Sequence, residues 1–165
     1  MSIITFSKCE GSEMGKNIVN EIQLLSNHIQ NNEIESVEVY YYDFRTFTRS
    51  AMTEDRLVNG RHDIKIVYTD YYISVEGFIK MLNSCSYKNM DLAQNPPDLR
   101  IGFIAYGKDK KIFSLFMGNV NNVAMLNGRL VKFDKNILEE LIKFLPHNVY
   151  PEAKEFVAKN TVFNK

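Results

Sequence analysis

The stretch from Asp98 to Pro146 constrains the fold of this chain more than any other. Within it, Val123-Ala124-Met125-Leu126 and Arg129-Leu130-Val131-Lys132-Phe133 are separated by Asn127-Gly128. A two-residue type I′ turn needs positive φ at both central positions, which asparagine and glycine tolerate best, so this segment predicts a β-hairpin. Just upstream, Leu99 to Tyr106 and Lys111 to Met117 flank the short glycine-bearing loop Gly107-Lys108-Asp109-Lys110, which predicts a second hairpin. Both of its strands are apolar on both faces. Ile101, Phe103 and Ala105 alternate with Gly102, Ile104 and Tyr106, and Phe113, Leu115 and Met117 alternate with Ile112, Ser114 and Phe116. Such strands belong at the centre of a sheet that is covered on each side. Asp134 is a fitting N-cap for a following helix with core residues Ile137, Leu138, Leu141, Ile142 and Leu145. Glu139 and Lys143 form a favourable pair four residues apart in it, and Pro146 stops it.

Upstream, Ile3, Ile4 and Phe6 suggest a short first strand, and Ser12 offers an N-cap for a helix. The apolar residues Met14, Ile18, Ile22, Leu25 and Ile29 recur at spacings of three and four, which predicts about four turns of amphipathic helix. Ser36 to Phe47 is dense in β-branched and aromatic residues, with Val37, Val39 and Tyr41 on one face and Glu38, Tyr40 and Tyr42 on the other. After a polar interval from Thr48 to Gly60, Arg61 to Ile73 reads as its partner strand, so the two predict a long hairpin with a roomy loop. Ser74 caps a short helix carrying Val75, Phe78, Ile79 and Leu82, and Ser86 to Asp98 is the longest unpatterned connection. Pro151 suits the first turn of a last helix through Phe156 and Val157. The order is β α β β α β β β β α α. Strands that arrive as hairpins predict an α+β fold: one mainly antiparallel sheet of about six or seven strands with helices packed on it. At 165 residues, the chain is expected to form a single domain, 1–165.

Twenty basic and twenty acidic residues cancel, so no global field draws the chain to nucleic acid or to an anionic membrane surface. Residues 1–15 show no basic stretch followed by an apolar one, and no window approaches the length needed to span a bilayer. Cytoplasmic residence is the expectation. Cys9 and Cys85 are too few for a disulfide framework and too far apart for a C-x-x-C site.

The inventory for chemistry is short. His28, His62 and His147 have no metal-ligand spacing, and none of the phosphate-loop, dinucleotide, nucleophile-elbow or zinc-deaminase motifs occurs. No cofactor is therefore expected. Cys9 precedes Glu10, and Cys85 sits at the negative end of a helix dipole, so neither thiol is favoured as a thiolate nucleophile. The consecutive pairs Glu54-Asp55 and Glu139-Glu140 point apart in any regular element and read as solvated charge.

One region stands apart. Tyr40, Tyr41, Tyr42, Phe44, Phe47, Tyr68, Tyr71 and Tyr72 are interleaved with Arg45, Arg49, Arg56, Arg61 and Lys65. Tyrosine and arginine join large apolar area to a fixed hydrogen-bonding tip, which is why they are enriched at binding hot spots. The candidate partner-binding residues are Tyr40, Tyr42, Arg45, Arg49, Arg56, Arg61, Tyr68 and Tyr71. Three other readings stay open. The outer tyrosines of a half-exposed strand pair can simply pack along the sheet. Arg45, His62, Asp63 and Tyr68 can contribute to the scattered site of a small enzyme or ligand-binding domain. The same face can stack single-stranded nucleic acid, although Asp43, Glu54, Asp55, Asp63 and Asp70 nearly cancel the charge a phosphate backbone requires. Whether the chain forms a homodimer is also open.

With its hairpin, its LNGRLVKFD turn and its ILEELIKFLP helix, the opening stretch is similar to the closing segment of many small bacterial proteins encoded beside secreted toxins. In size and architecture the whole chain resembles an immunity protein of a contact-dependent growth inhibition system. That resemblance implies a cytoplasmic protein without catalysis that binds a cognate toxin domain tightly and blocks its active site or a partner contact.

Overall fold

The computed structural model describes residues 13–69, 72–92, 97–108, 110–118 and 122–162. The expected first strand at Ile3 to Phe6 and the Ser12 cap lie outside them. Among the described residues, seven strands form one antiparallel sheet in the order β2-β1-β4-β5-β6-β7-β3. These are β1 Ser36–Tyr41, β2 Ile64–Tyr68, β3 Tyr87–Asn89, β4 Leu99–Gly107, β5 Lys110–Gly118, β6 Val123–Leu126 and β7 Arg129–Phe133. Five α-helices join them: α1 Glu13–Gln30, α2 Glu54–Asn59, α3 Tyr72–Ser84, α4 Leu138–Leu141 and α5 Tyr150–Val162, with a 3-10 turn at Ile142–Phe144 after α4. The α+β class and the antiparallel sheet are as the hairpin pattern predicts.

Strand alternation divides the core in two. Val39, Phe103, Leu115 and Leu126 face the larger cluster, where Leu25 of α1, Phe78 of α3, Leu141 of α4 and Val157 of α5 complete the packing. Tyr40, Ile104, Phe116, Met125 and Leu130 face the opposite side, closed by Leu57 of α2 and by Met52 just before it. This two-sided cover explains why β4 and β5 are apolar on both faces.

The Asn127-Gly128 turn has φ 45° and 78°, the positive pair that a type I′ hairpin requires. Asn127 Oδ1 also accepts the Ser114 N–H at 2.7 Å, which ties the turn to β5. No atom lies within 4 Å of a Cβ built on Gly128, so the demand there is conformational alone. Gly128→Ala is expected to lower stability by about 1 kcal/mol, read as a lower urea midpoint at unchanged slope.

Several local expectations are corrected. The interval from Thr48 to Gly60 is not an open hairpin loop. Thr53 Oγ1 accepts the Arg56 N–H and starts α2, and Gly60 ends that helix instead of turning a hairpin. β1 stops at Tyr41 rather than Phe47, β2 is confined to Ile64–Tyr68, and α3 begins at Tyr72, before Ser74. The unpatterned Ser86 to Asp98 segment contributes β3, whose Tyr87 pairs with Phe133 at the sheet edge. Asp134 caps no helix: its carboxylate accepts the Ser86 N–H at 2.9 Å, and α4 starts only at Leu138. Lys143 pairs with Glu140 at 2.5 Å rather than with Glu139, which is held by Asn136 Nδ2 at 3.0 Å.

Candidate functional site

The chain leaving β1 makes the most unusual surface of the molecule. Tyr42 N–H donates to the Arg100 carbonyl at 2.7 Å, the last ladder-like bond, and the backbone then turns at Asp43. The Asp43 carboxylate accepts the Arg45 N–H at 2.9 Å, and the Thr46 N–H closes the turn on the Asp43 carbonyl at 3.0 Å. An aspartate side chain that satisfies the backbone two residues on is a strong local turn former, and it competes successfully with further strand. Asp43 N–H is in turn held by the Asp63 carboxylate at 2.8 Å.

This turn sends successive side chains to opposite fates. Phe44 is 3% exposed and stacks on Phe156 of α5, with centroids 5.1 Å apart and planes 5° apart. Arg45 bridges Asp43 and Glu152 of α5 at 2.7 Å each, and its guanidinium is held well above its ordinary pKa, first by the Asp43 hydrogen bond. Phe47 is left 98% exposed, between exposed Arg45 and exposed Arg49. Sequestering a phenylalanine ring from water is worth about 1.5–3 kcal/mol, so this ring holds an apolar contact in reserve.

Beyond Phe47 the loop is pinned again. Arg100, on β4, is 2% exposed, and its Nη2 donates to Asp98 Oδ2 at 2.5 Å and to Thr48 Oγ1 at 3.4 Å. Asp98 Oδ1 also accepts the Met52 N–H at 2.8 Å. The Tyr42 ring covers the guanidinium with its centroid 5.2 Å away, while Arg100 Nε and Nη1 have no hydrogen-bond partner among the described residues. Phe47 thus sits on a segment anchored at Phe44 and Arg45 on one side and at Thr48 and Met52 on the other.

The expected partner-binding residues divide among several places. Tyr42, Arg45 and Arg49 lie on this loop, and Arg56, half-buried in α2, reaches back to it with Nη1 on Ser50 Oγ at 2.5 Å. Arg61 is exposed after α2. Tyr40 is only 2% exposed and offers a partner almost none of its ring. Tyr68 belongs to the opposite, helix-covered face, its hydroxyl donating to the Phe144 carbonyl at 2.5 Å. Tyr71 lies outside the described residues. Phe47 was visible in the sequence only as one aromatic of a strand. The signal that would have singled it out is the Asp43 turn, which breaks the alternation before it.

The residues considered for a scattered small-molecule site do not converge. His62 Nδ1 meets the Leu57 carbonyl at 3.0 Å, Asp63 serves the Asp43 turn, Arg45 reaches α5, and Tyr68 is on the other face. A second titratable group lies on the α2 side of the sheet. There Glu38 accepts the Tyr40 hydroxyl at 2.6 Å and pairs with Lys65 at 2.9 Å. Burial pushes Glu38 up, but the Tyr40 hydrogen bond and Lys65 outweigh it and leave its carboxyl below the usual value. Lys65 is raised, first by its bond to Glu38, and burial pushes Tyr106 up to about 12. No member of this group titrates near neutrality, so it acts as an ion pair joining β1 to β2 rather than as an acid–base couple.

Of the thiols, Cys9 is outside the described residues. Cys85 is free, and its pKa is raised, first by burial and then by Asp134. Among the described residues, no group of three or more His, Cys, Asp or Glu side chains is placed to hold a metal ion, and no helix is long and apolar enough to cross a membrane. Among the described residues, fold and surface together define an α+β protein with a seven-stranded antiparallel sheet that presents the Phe47 ring on an anchored, arginine-flanked loop. No family model, curated protein or solved structure matches the chain.

Proposed function

We propose that this chain is a non-catalytic binding protein that neutralises a cognate toxin domain, with residues 42–50 at the centre of the contact. The exposed Phe47 ring on its pinned loop carries the binding part of this reading. A loop held in place before binding loses little conformational entropy on association, and an aromatic between two arginines has hot-spot composition. The toxin as partner rests on the resemblance to contact-dependent growth inhibition immunity proteins. That reading also places the protein in the cytoplasm, where the toxin acts.

The test is co-expression and co-purification with the product of the reading frame immediately upstream, followed by titration of purified variants. Phe47→Ala is expected to weaken the complex by about 2 kcal/mol, roughly thirty-fold, with an unchanged melting temperature because the ring contacts solvent alone. Arg49→Ala should weaken it less. Wild-type affinity in both variants would remove this loop from the interface, and an upstream product that does not bind would remove the toxin reading.

A further inference from the structure

Where α2 begins, the second face of the sheet opens into a cleft of about 370 Å³. Its walls are apolar: Leu99 and Met125 are nearly buried at 1% and 7% exposure, Leu92 is 46% exposed, and Ala51 and Pro97 complete the lining. That volume is within the range of small-molecule sites, which combine apolar walls with a few placed polar groups.

Three polar side chains also line the cleft, and two are already committed. Thr53 Oγ1 accepts the Arg56 N–H at 3.3 Å, and Asp55 Oδ1 accepts Asn59 Nδ2 at 2.8 Å. Glu54 differs. Its Oε1 is enclosed and has no hydrogen-bond partner among the described residues. The expectation of solvated charge holds for the exposed Asp55 and is corrected for Glu54. A carboxylate oxygen enclosed beside an apolar cleft without a donor is an unmet demand for one.

We propose that this cleft binds a small amphiphilic amine, with the apolar body against Leu92, Leu99 and Met125 and the ammonium N–H groups at the Glu54 carboxylate. The charge order of the lining favours this class. Glu54 and Asp55 are both acidic, and burial raises the Glu54 pKa while the field of Lys111 on β5 offsets only part of that rise. An anionic ligand would meet two carboxylates, and a purely apolar one would leave the Glu54 demand unanswered. The site adjoins the end of the Phe47 loop at Ala51, but it does not depend on the protein partner proposed above.

Three probes of nearly equal size isolate the head group: 2-phenylethylamine, 2-phenylethanol and 3-phenylpropanoate. Each is titrated into the full chain while the methyl resonances of Leu99 and Met125 are followed. The amine is expected to saturate with a dissociation constant on the order of 1 mM, the alcohol to bind about tenfold more weakly, and the carboxylate not to bind. Glu54→Gln should weaken the amine about tenfold and leave the alcohol unchanged. Ala51→Trp, at an exposed wall position, should block all binding. Equal affinity for amine and alcohol, an unshifted amine affinity in Glu54→Gln, or no methyl shifts with any probe would each overturn the assignment. The wild-type titration decides the matter even where a variant does not fold.

Discussion

Replacing Asp98 by Ala is expected to lower the stability of the protein by about 3 kcal/mol, measured by urea unfolding at neutral pH. The carboxylate has three tasks: it pairs with the buried Arg100 guanidinium, accepts the Met52 N–H and meets the Thr48 hydroxyl. Removing one partner of a buried ion pair leaves an uncompensated charge, which in general costs about 3–5 kcal/mol. The lower end applies because the Asp98 side chain is 36% exposed and water can take part of its place. The companion variant is Arg100→Met in the Asp98→Ala background. Methionine keeps much of the buried length and removes both the charge and the unpartnered Nε and Nη1, so most of the lost stability should return. Recovery of less than about 1 kcal/mol would show that Asp98 acts through the Met52 bond rather than through the ion pair.

Gly118→Ala is the second large effect. Gly118 ends β5 opposite Leu99, and a Cβ built on it falls 2.0 Å from the Asp98 carbonyl oxygen. That neighbour is backbone, so no side-chain rotation relieves the clash. The strand end must separate where β4 begins, close to the carboxylate that holds the Phe47 loop. Overpacking of this kind costs about 3 kcal/mol at the upper end of its usual range, or roughly 6–12 °C in melting temperature for a chain of this size. A shift under about 2 °C would mean that the two strand ends part freely. Because Gly118 and Asp98 act on the same junction, their effects should combine non-additively in the double variant.

The parts of the fold legible in the sequence are those whose local chemistry and tertiary place agree. Asn127-Gly128, the doubly apolar β4 and β5, and the alternation of Val37, Val39 and Tyr41 against Glu38 and Tyr40 all point one way. The missed elements lack such agreement. Tyr87-Lys88-Asn89 has no alternation to reveal, and it is a strand because β7 would otherwise present an unpaired edge. α2 has only Leu57 fully buried, so its cap at Thr53 was a better sign of it than any apolar stripe. The candidate loop was hidden because Tyr42 to Phe47 has strand composition, and a single side chain, Asp43, turns it. Arg100 was visible as one charge inside an apolar strand, two residues after an aspartate, but pairing across such a short separation becomes evident only once the bulge between Leu99 and Ile101 is seen.

The strand order also bears on how the protein is made. β1 sits between β2 and β4, and β3 has β7 as its neighbour, so β1 completes its pairing, and β3 begins its own, only when a later strand is made. While the ribosome has delivered only the first half, Val37, Val39 and Tyr41 have nothing from the sheet centre to lie against, and β3 has no ladder to join. The central pair β4 and β5 arrives afterwards, β4 pairs with the free side of β1, and the Asn127-Gly128 hairpin then adds to β5. The β1–β4 and β3–β7 ladders therefore close contacts distant along the chain, which are slow to form, and the ring of Phe47 is set in place only after Asp98 and Arg100 have been synthesised.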